Sequence, residues 1–246
     1  MSRALIIGPA GLSGAYSGGV VATLGRQLGH NYFDVVYGCS SGAYTGSYLV
    51  SGQPDMIETI WRECVYGKLL MRLGNIFHRS QSILDLFYLN DVLRSQAYRL
   101  SVENLLHSSV KICMVATNQQ SGQANYFSPK TSEEFFLQVR ASAAIPYLHP
   151  SVFINGQKYI DGSFSDPVPI ERVLADGYGE IIVVDNRPRK KVIDLMRANN
   201  NQVKSIFQST KSSLVWNFDS SQQRINQLVD LGIHDALTFL SSEHES

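Results

Sequence analysis

Short apolar runs alternate with segments of helical periodicity along the first part of the chain. Apolar runs at residues 4–7 and 33–37 predict buried strands, whereas 14–28 and 41–51 carry apolar and small residues at helical spacing. Strands that alternate with helices indicate a parallel sheet with helices on its faces. We therefore predict an α/β fold whose central sheet is mainly parallel.

The second part of the chain continues this alternation. Further buried-type strands are predicted at three apolar runs: 111–117, 124–128 and 180–185. A helix over 133–144 is expected to end near Pro146, because the residue before a proline is disfavoured in helical geometry. Asn155-Gly156, between two short apolar runs, predicts a hairpin over 152–160.

Two regions differ from this pattern. Residues 52–108 mix aromatic and aliphatic side chains with charges, which predicts several short helices forming a cap beside the sheet. The tail from about 190 to 240 has a mostly helical pattern. We predict a single domain over 1–246, with its core at about 3–187, the cap as an insert and the tail packed as helices.

Composition and charge narrow the range of functions. With 246 residues and 44% hydrophobic content, the chain can bury one sizeable core. Lys+Arg and Asp+Glu both number 21, which argues against a nucleic-acid partner, since phosphate contacts need basic residues. Neither the three cysteines nor the histidines have metal-ligand spacing, and no cofactor is expected.

The sequence also bears on location. No stretch approaches the roughly 20 apolar residues that a membrane-spanning helix needs, and the run at 4–7 is too short for a signal-peptide core. The widely spaced cysteines fit a reducing compartment. We predict a cytoplasmic protein with peripheral membrane contact as a further expectation, and secretion without a cleavable signal stays open.

The pattern G-x-S-x-G occurs at Gly38-Cys39-Ser40-Ser41-Gly42. It lies between a predicted strand and a predicted helix, where such a turn exposes a nucleophilic serine at a helix N-terminus. Ser40 could instead merely cap the helix, because serine is a favoured N-cap residue. Ser41 is the rival nucleophile, and Cys39 is expected to pack as a small apolar residue.

The segment from Gly8 to Gly14 joins the first predicted strand to the first predicted helix. Acyl transfer needs N–H donors directed at the oxyanion, and Pro9 has none, which leaves Ala10, Gly11 and Leu12. When nothing else supports an oxyanion hole, such a segment is more often only the connection between a strand and a helix. The segment has neither the Gly-Lys-Ser/Thr ending of a P-loop nor the G-x-G-x-x-G spacing of a dinucleotide-binding site.

Asp161-Gly162-Ser163 follows a predicted strand at 158–160, where an aspartate before a glycine is often only a turn former. Five segments that include it nonetheless resemble, in order and at the expected separations, the patatin-like phospholipase family. They are GPAGLSGAYSGGV, YGCSSGAYTGSYL, ATNQQSGQANYF, ASAAIPYLHPSVFINGQKYIDGSFSDPVPI and EIIVVD. The resemblance covers roughly residues 3 to 187.

The resemblance implies a modified α/β-hydrolase fold and a Ser–Asp dyad, with Ser40 as nucleophile and Asp161 as base. It implies an oxyanion hole at the predicted loop, Ala10, Gly11 and Leu12, and an elbow flanked by Gly38 and Gly42. Family members hydrolyse acyl esters of phospholipids, lysophospholipids and neutral lipids, often without a metal. The loop departs from the family pattern, because Pro9 and Ala10 replace glycines and Ser13 replaces a basic residue.

The main hypothesis is a lipid acyl hydrolase of the phospholipase A or lysophospholipase type. A small-molecule esterase or thioesterase on the same site, and a catalytically weak lipid-binding protein, are the alternatives. A Ser–Asp–His triad in that order would need His234 or His244. His149 is expected to pack in the protein interior, with a place in the lining of the pocket near Asp161 as the alternative. The basic run 187–191 is expected to be a solvated helix start, with contact to anionic lipid head groups as the alternative.

Overall fold

The computed structural model describes residues 2–66, 83–199, 202–209 and 221–244. Within them, an eight-stranded sheet carries helices on both faces, which confirms the predicted α/β fold. The strands are β1 (Arg3–Ile7), β2 (Val35–Cys39), β3 (Lys111–Asn118), β4 (Ala124–Phe127), β5 (Val152–Ile154), β6 (Gln157–Asp161), β7 (Glu180–Asp185) and β8 (Val203–Phe207). The α-helices are α1 (Gly14–Leu28), α2 (Ser41–Val50), α3 (Pro54–Glu63), α4 (Leu86–Arg94), α5 (Val102–His107), α6 (Ser132–Ser142), α7 (Ile170–Ala175), α8 (Lys190–Ala198) and α9 (Gln222–His244).

The sheet has a parallel part and an antiparallel part. β8, β7, β1, β2 and β3 pair in that order and all run parallel. β3 also pairs antiparallel with β4 and with β6, and β6 pairs antiparallel with β5. The predicted hairpin is β5–β6, and its turn has Asn155 and Gly156 at φ of 48° and 76°. These positive φ values are those that an Asn-Gly turn provides.

The prediction of a helical tail is wrong at residues 203–207. They form β8, parallel to β7, and α8 and α9 flank this strand. Val203 and Ile206 are spaced as on one face of a helix, but they are buried on opposite faces of the sheet. Pairing with the otherwise open edge of β7 therefore outweighs the local helical pattern.

The predicted cap contains three described helices, α3, α4 and α5. Part of the predicted cap lies outside the described residues. That part includes His78 and the apolar residues Leu69, Leu70, Met71, Leu73, Ile76 and Phe77. The cap helices contribute apolar side chains to the same core as α1 and α2. They therefore cover one face of the sheet near the carboxyl end of β2.

Both faces of the sheet are buried, which explains why β1 is a continuous apolar run. Leu5 and Ile7 pack in the core on the face of α1, α2 and the cap. Ala4 and Ile6 point to the opposite face, where the core includes residues of α7 and α8. Parallel strands buried on both faces have this composition.

Helix α9 packs directly against α1. A Cβ added at Gly19 would lie 2.2 Å from the carbonyl oxygen of Val229, and one at Gly232 would lie 2.1 Å from that of Tyr16. The Tyr16 hydroxyl donates to Asp235 at 3.0 Å. Although α9 has 23 residues, neither it nor another described helix combines the length and the apolar character needed to cross a membrane.

Candidate active site

Ser40 occupies a sharp turn between β2 and α2. Its φ of 55° and ψ of −123° lie in a region that favours glycine, and such strain costs on the order of 1–3 kcal/mol. Its side chain makes no capping hydrogen bond to the described part of α2. The geometry therefore supports the nucleophile-elbow interpretation over a simple helix cap.

The two flanking glycines allow this turn. A Cβ at Gly38 would lie 2.5 Å from the Cα of Ala43, and one at Gly42 would lie 2.3 Å from the carbonyl oxygen of Ile7. Both distances are far shorter than real carbon contacts, and the obstructing atoms belong to the backbone. The elbow can therefore form only with glycine at both positions, as the pattern predicts.

The pairing of β3 explains how Asp161 reaches Ser40. Residues 114–115 pair with β2 on one edge of β3 and with β4 on the other. Residues 116–117 pair with β4 and β6, so β6 must lie on the same edge as β2. β2 and β6 thus meet end to end: the last residue of β2 pairs with Val115, and the last residue of β6 pairs with Ala116.

This arrangement brings the predicted dyad together. Ser40 follows β2, Asp161 ends β6, and the Ser40 hydroxyl lies close enough to the Asp161 carboxylate to lower its pKa. Asp161 is buried, and its Oδ1 accepts from the backbone N–H of Ser163 at 2.8 Å. Burial raises the pKa of Asp161, while the neighbouring polar groups of Ser163 and Ser40 lower it in part. A dry carboxylate with raised proton affinity can act as a base.

The end of α6 holds the backbones of both residues. The N–H of Ser40 donates to the hydroxyl of Ser142 at 3.0 Å, and the N–H of Asp161 donates to the carbonyl of Ala144 at 3.0 Å. Thr117 of β3 donates to the carbonyl of Asp161 at 2.8 Å. Sequence reasoning missed these roles of Ser142 and Ala144, although both lie in the ASAAIP stretch.

The predicted oxyanion loop follows β1. Gly11 has a φ of 54°, and a 3₁₀ turn covers Gly11–Ser13. The N–H of Ala10 donates to the hydroxyl of Ser41 at 3.2 Å, so Ser41 ties the loop to α2. Gly11 and Leu12 have N–H groups that meet no acceptor among the described residues. Of the three predicted donors, these two are the ones left for an oxyanion.

Ser40 and Asp161 open onto a cavity of about 830 Å³. Its size is within the usual range of ligand pockets, roughly 300–1,000 Å³. Tyr44 and Tyr48 are buried, and both also line the cavity. Cap side chains form much of its apolar wall: Ile57, Trp61, Leu84, Leu86, Leu89 and Leu93.

The segment after β7 forms a polar part of the cavity wall. Asn186, Arg187 and Arg189 line it, together with Gln208 after β8. The predicted basic run is thus divided, because Lys190 and Lys191 begin α8 and are absent from the lining.

No histidine in the described part of the chain lines the cavity. His149 is buried against the ring of Phe87, and its Nδ1 donates to the carbonyl of Pro150 at 2.6 Å. His234 is exposed on α9. Burial raises the pKa of the Cys39 thiol well above its usual value, so Cys39 packs as a neutral side chain. Among the described residues, no cluster of His, Cys, Asp and Glu is placed to hold a metal ion.

Comparison with known sequences extends this picture. The model of the patatin-like phospholipase family matches residues 5–174, which include all the predicted site residues. The uncharacterized protein YjjU of Escherichia coli is 29% identical over 189 residues, which is 75% of this chain and 52% of that protein. Lysophospholipase NTE1 of Cryptococcus neoformans is 24% identical over 196 residues, 74% of this chain and 11% of that protein. The chain thus spans about half of YjjU and a small part of NTE1.

Solved structures with a similar fold include two bacterial proteins. VipD from Legionella pneumophila has a TM-score of 0.57 and 14% identity, over 98% of this chain and 67% of that one. The type III effector ExoU has a TM-score of 0.53 and 13% identity, over 98% of this chain and 53% of that one. At such identities the similarity establishes the fold.

Proposed function

Because the chain belongs to the patatin-like phospholipase family, we propose that it is a lipid acyl hydrolase of the phospholipase A or lysophospholipase type. Ser40 is the nucleophile and Asp161 is its base. One observation carries the proposal: the Ser40 hydroxyl lies beside the buried carboxylate of Asp161, and both line a cavity with an apolar wall. The name of the Cryptococcus relative, a lysophospholipase, supports the substrate class.

The reaction proceeds through an acyl-enzyme. Ser40 Oγ attacks the acyl carbonyl carbon while Asp161 accepts the hydroxyl proton. The N–H groups of Gly11 and Leu12 stabilise the oxyanion, aided by the N-terminus of α2. Asp161 returns the proton to the departing alcohol. A water deprotonated by Asp161 then attacks the acyl carbonyl carbon of the acyl-enzyme. The bond to Ser40 Oγ breaks, Asp161 returns the proton to Oγ, and the fatty acid leaves.

The apolar wall favours a lipid over a small ester. Burying each methylene of an acyl chain is worth about 0.8 kcal/mol, and the cap side chains that line the cavity offer that surface. A small-molecule esterase would gain little from it. Rising kcat/KM with acyl length is therefore expected, and a rate that is independent of length would favour the esterase alternative.

The protein is proposed to work at a lipid surface. Phe87 is 54% exposed and Tyr147 is 99% exposed, and each is adjacent in sequence to a cavity-lining residue, Leu86 and Leu148. Exposed apolar side chains beside a cavity are typical of membrane or partner contacts. The location is proposed as cytoplasmic, because Cys39, Cys64 and Cys113 are unpaired and buried.

The decisive experiment compares serine and aspartate variants on a lysophospholipid and on p-nitrophenyl esters of increasing length. Ser40→Ala and Asp161→Asn are expected to lower kcat/KM by about 10³-fold or more, because each removes a reacting group. Ser41→Ala is expected to retain activity at a reduced level, because it only frees the loop at Ala10. Circular dichroism verifies folding.

Three controls separate the alternatives. His149→Ala and His234→Ala are expected to keep most activity, and loss of activity in a folded His234→Ala protein would favour a triad. An inactive Ser41→Ala with an active Ser40→Ala would reassign the nucleophile. A wild-type protein that neither hydrolyses these esters nor reacts with a fluorophosphonate would be a lipid-binding protein.

A further inference from the structure

Two arginines line the cavity after β7, and their environments differ. Arg189 Nε donates to Oδ2 of Asp185 at 2.6 Å, and Asp185 is fully buried. Asp185 in turn lies beneath the oxyanion loop, because a Cβ at Gly8 would be 3.0 Å from its Cγ. Arg189 therefore balances a buried charge that supports the loop.

Arg187 is not held in this way. It is exposed and lines the cavity, and neither a hydrogen bond nor an ion pair joins it to the described residues. Its Coulombic interaction with Asp185 is the weakest of those that act on the pKa of that carboxyl. The amides of Asn186 and Gln208 line the same part of the wall. A guanidinium presents a planar fork of N–H donors that matches the oxygens of a phosphate.

The sheet places the segment that carries Arg187 on the side of Ser40 where the loop after β1 lies. Ile7 of β1 pairs with Val184 of β7 on one side and with Gly38 of β2 on the other. The segment after β7 is therefore two strand spacings, about 10 Å, from the elbow after β2. A glycerol unit and an extended arginine side chain together cover such a distance. An ester at Ser40, with its acyl chain against the cap, can thus present a glycerol-linked phosphate to Arg187.

We infer that Arg187 binds the phosphate of the substrate's head group and makes the enzyme prefer phosphate-bearing lipids over uncharged glycerides. The inference rests on the proposed function and adds to it the residue that recognises the head group. An acyl chain has no charge, so the head group is the part of such a substrate that can pair with this cation.

The test compares two substrates with the same acyl chain, a lysophosphatidylglycerol and a monoacylglycerol, in the same neutral detergent micelles. The quantity measured is the ratio of their kcat/KM values. Arg187→Gln is expected to lower the ratio of the phosphate-bearing to the uncharged substrate by about tenfold or more, because it removes a charge-assisted hydrogen bond. Arg187→Lys is expected to restore part of the ratio, since it returns the charge without the fork.

Lys190→Gln is the matched control, because it removes one positive charge from the same basic run outside the cavity lining. It is expected to keep the wild-type ratio. An unchanged ratio in Arg187→Gln, or an equal fall in both variants, would overturn the inference, the second outcome indicating general attraction to a charged surface. If wild-type protein cleaves neither lipid, the proposed function fails and the inference fails with it.

Inorganic phosphate distinguishes a head group from a free anion. Millimolar phosphate is added while monoacylglycerol cleavage is measured. Inhibition that Arg187→Gln abolishes, without a change in the substrate ratio, would assign the site to free phosphate and overturn the inference. A ratio that falls in Arg187→Gln whether or not phosphate is present supports the lipid head group.

Discussion

Asp161 meets two opposing requirements. In the proposed mechanism it must be ionised to accept the proton of Ser40, yet burial raises its pKa and so disfavours the ionised form. Activity is expected to rise with pH through this raised pKa. Stability has the opposite sign: since the folded state holds the Asp161 proton more tightly than the unfolded chain does, ionisation of Asp161 destabilises the fold as the pH increases.

Asp161→Asn is therefore predicted to be inactive and more stable than wild type. An amide is neutral at all pH values and its oxygen can still accept from the N–H of Ser163. The gain in the free energy of unfolding at pH 8 is expected to be about 0.5–2 kcal/mol, which is the usual size of a single stabilising substitution. It should shrink as the pH falls through the raised pKa of Asp161.

Urea denaturation of both proteins along a pH series measures this difference. Asp194→Asn, which changes an exposed carboxylate on α8, is the control and should match wild type throughout. A folded Asp161→Asn protein that is less stable than wild type at pH 8 would show that the carboxylate stabilises the fold instead.

The turn at Ser40 could be predicted from the sequence, whereas the contacts that support it could not. G-x-S-x-G specifies a local turn, and the elbow has the predicted glycines around Ser40. The bond from Ala10 to Ser41 joins two loops that follow different strands, and the bond from Ser40 to Ser142 joins α6 to the elbow. Such contacts depend on how the elements pack, which a local pattern does not contain.

In the cap and in the segment before β5, some apolar side chains line the cavity and their neighbours in sequence are exposed to solvent. Leu86 and Leu148 line the cavity, while their neighbours Phe87 and Tyr147 are exposed. Tyr147 has a φ of 68°, an unfavourable backbone conformation for a bulky residue. A strained backbone that holds an aromatic ring in water is consistent with selection for contact rather than for stability.

We predict that Phe87→Ser combined with Tyr147→Ser lowers hydrolysis of micellar substrate by about tenfold, because less apolar surface reaches the lipid. Hydrolysis of a monomeric short-chain ester should fall much less. The ratio of the two rates is measured for each protein.

Phe153→Ser is the control for the loss of an exposed aromatic ring. Phe153 is 60% exposed on β5 and neither lines the cavity nor is adjacent in sequence to a residue that does. An equal fall in this variant would show that the effect comes from overall surface hydrophobicity.

The strands and helices with the clearest sequence patterns are the easiest to predict. β1, β3 and β7 are continuous apolar runs, and α1 has clear helical periodicity, so the sequence predicts the bounds of each to within a few residues. The sequence does not predict β8, because this strand is buried on both faces at only a few positions and so shows no alternation of apolar and polar residues. Whether the segment forms a strand depends on its pairing with β7, which a pattern within the segment does not contain.

At the scale of the whole chain, one strand brings Ser40 and Asp161 together. β2 and β6 meet along a single edge of β3, at Val115 and Ala116, so the separation between Ser40 and Asp161 depends on the register of β3. One additional residue there would shift β6 by about 3.3 Å relative to β2 and turn the following side chains to the other face.

Insertion of one alanine between Val115 and Ala116 is predicted to lower kcat/KM by about 10²-fold or more, because the Asp161 carboxylate would move out of proton-transfer reach of the Ser40 hydroxyl. Insertion after Gly122, in the turn between β3 and β4, should keep most activity, since a Cβ there would meet open space. Thermal unfolding confirms that both proteins fold. A folded protein with the β3 insertion and wild-type activity would contradict this account of the dyad.

The shared edge of β3 has an evolutionary consequence. The cap that forms the acyl wall is inserted between α2 and β3, so its length and composition can change without altering the pairing of β2 and β6. Lineages that carry this fold are thus free to exchange the wall of the cavity, while the strand pairing that brings Ser40 and Asp161 together is inherited intact. Substrate range should diverge quickly among relatives through insertions and deletions in the cap, whereas β3 should keep a constant length.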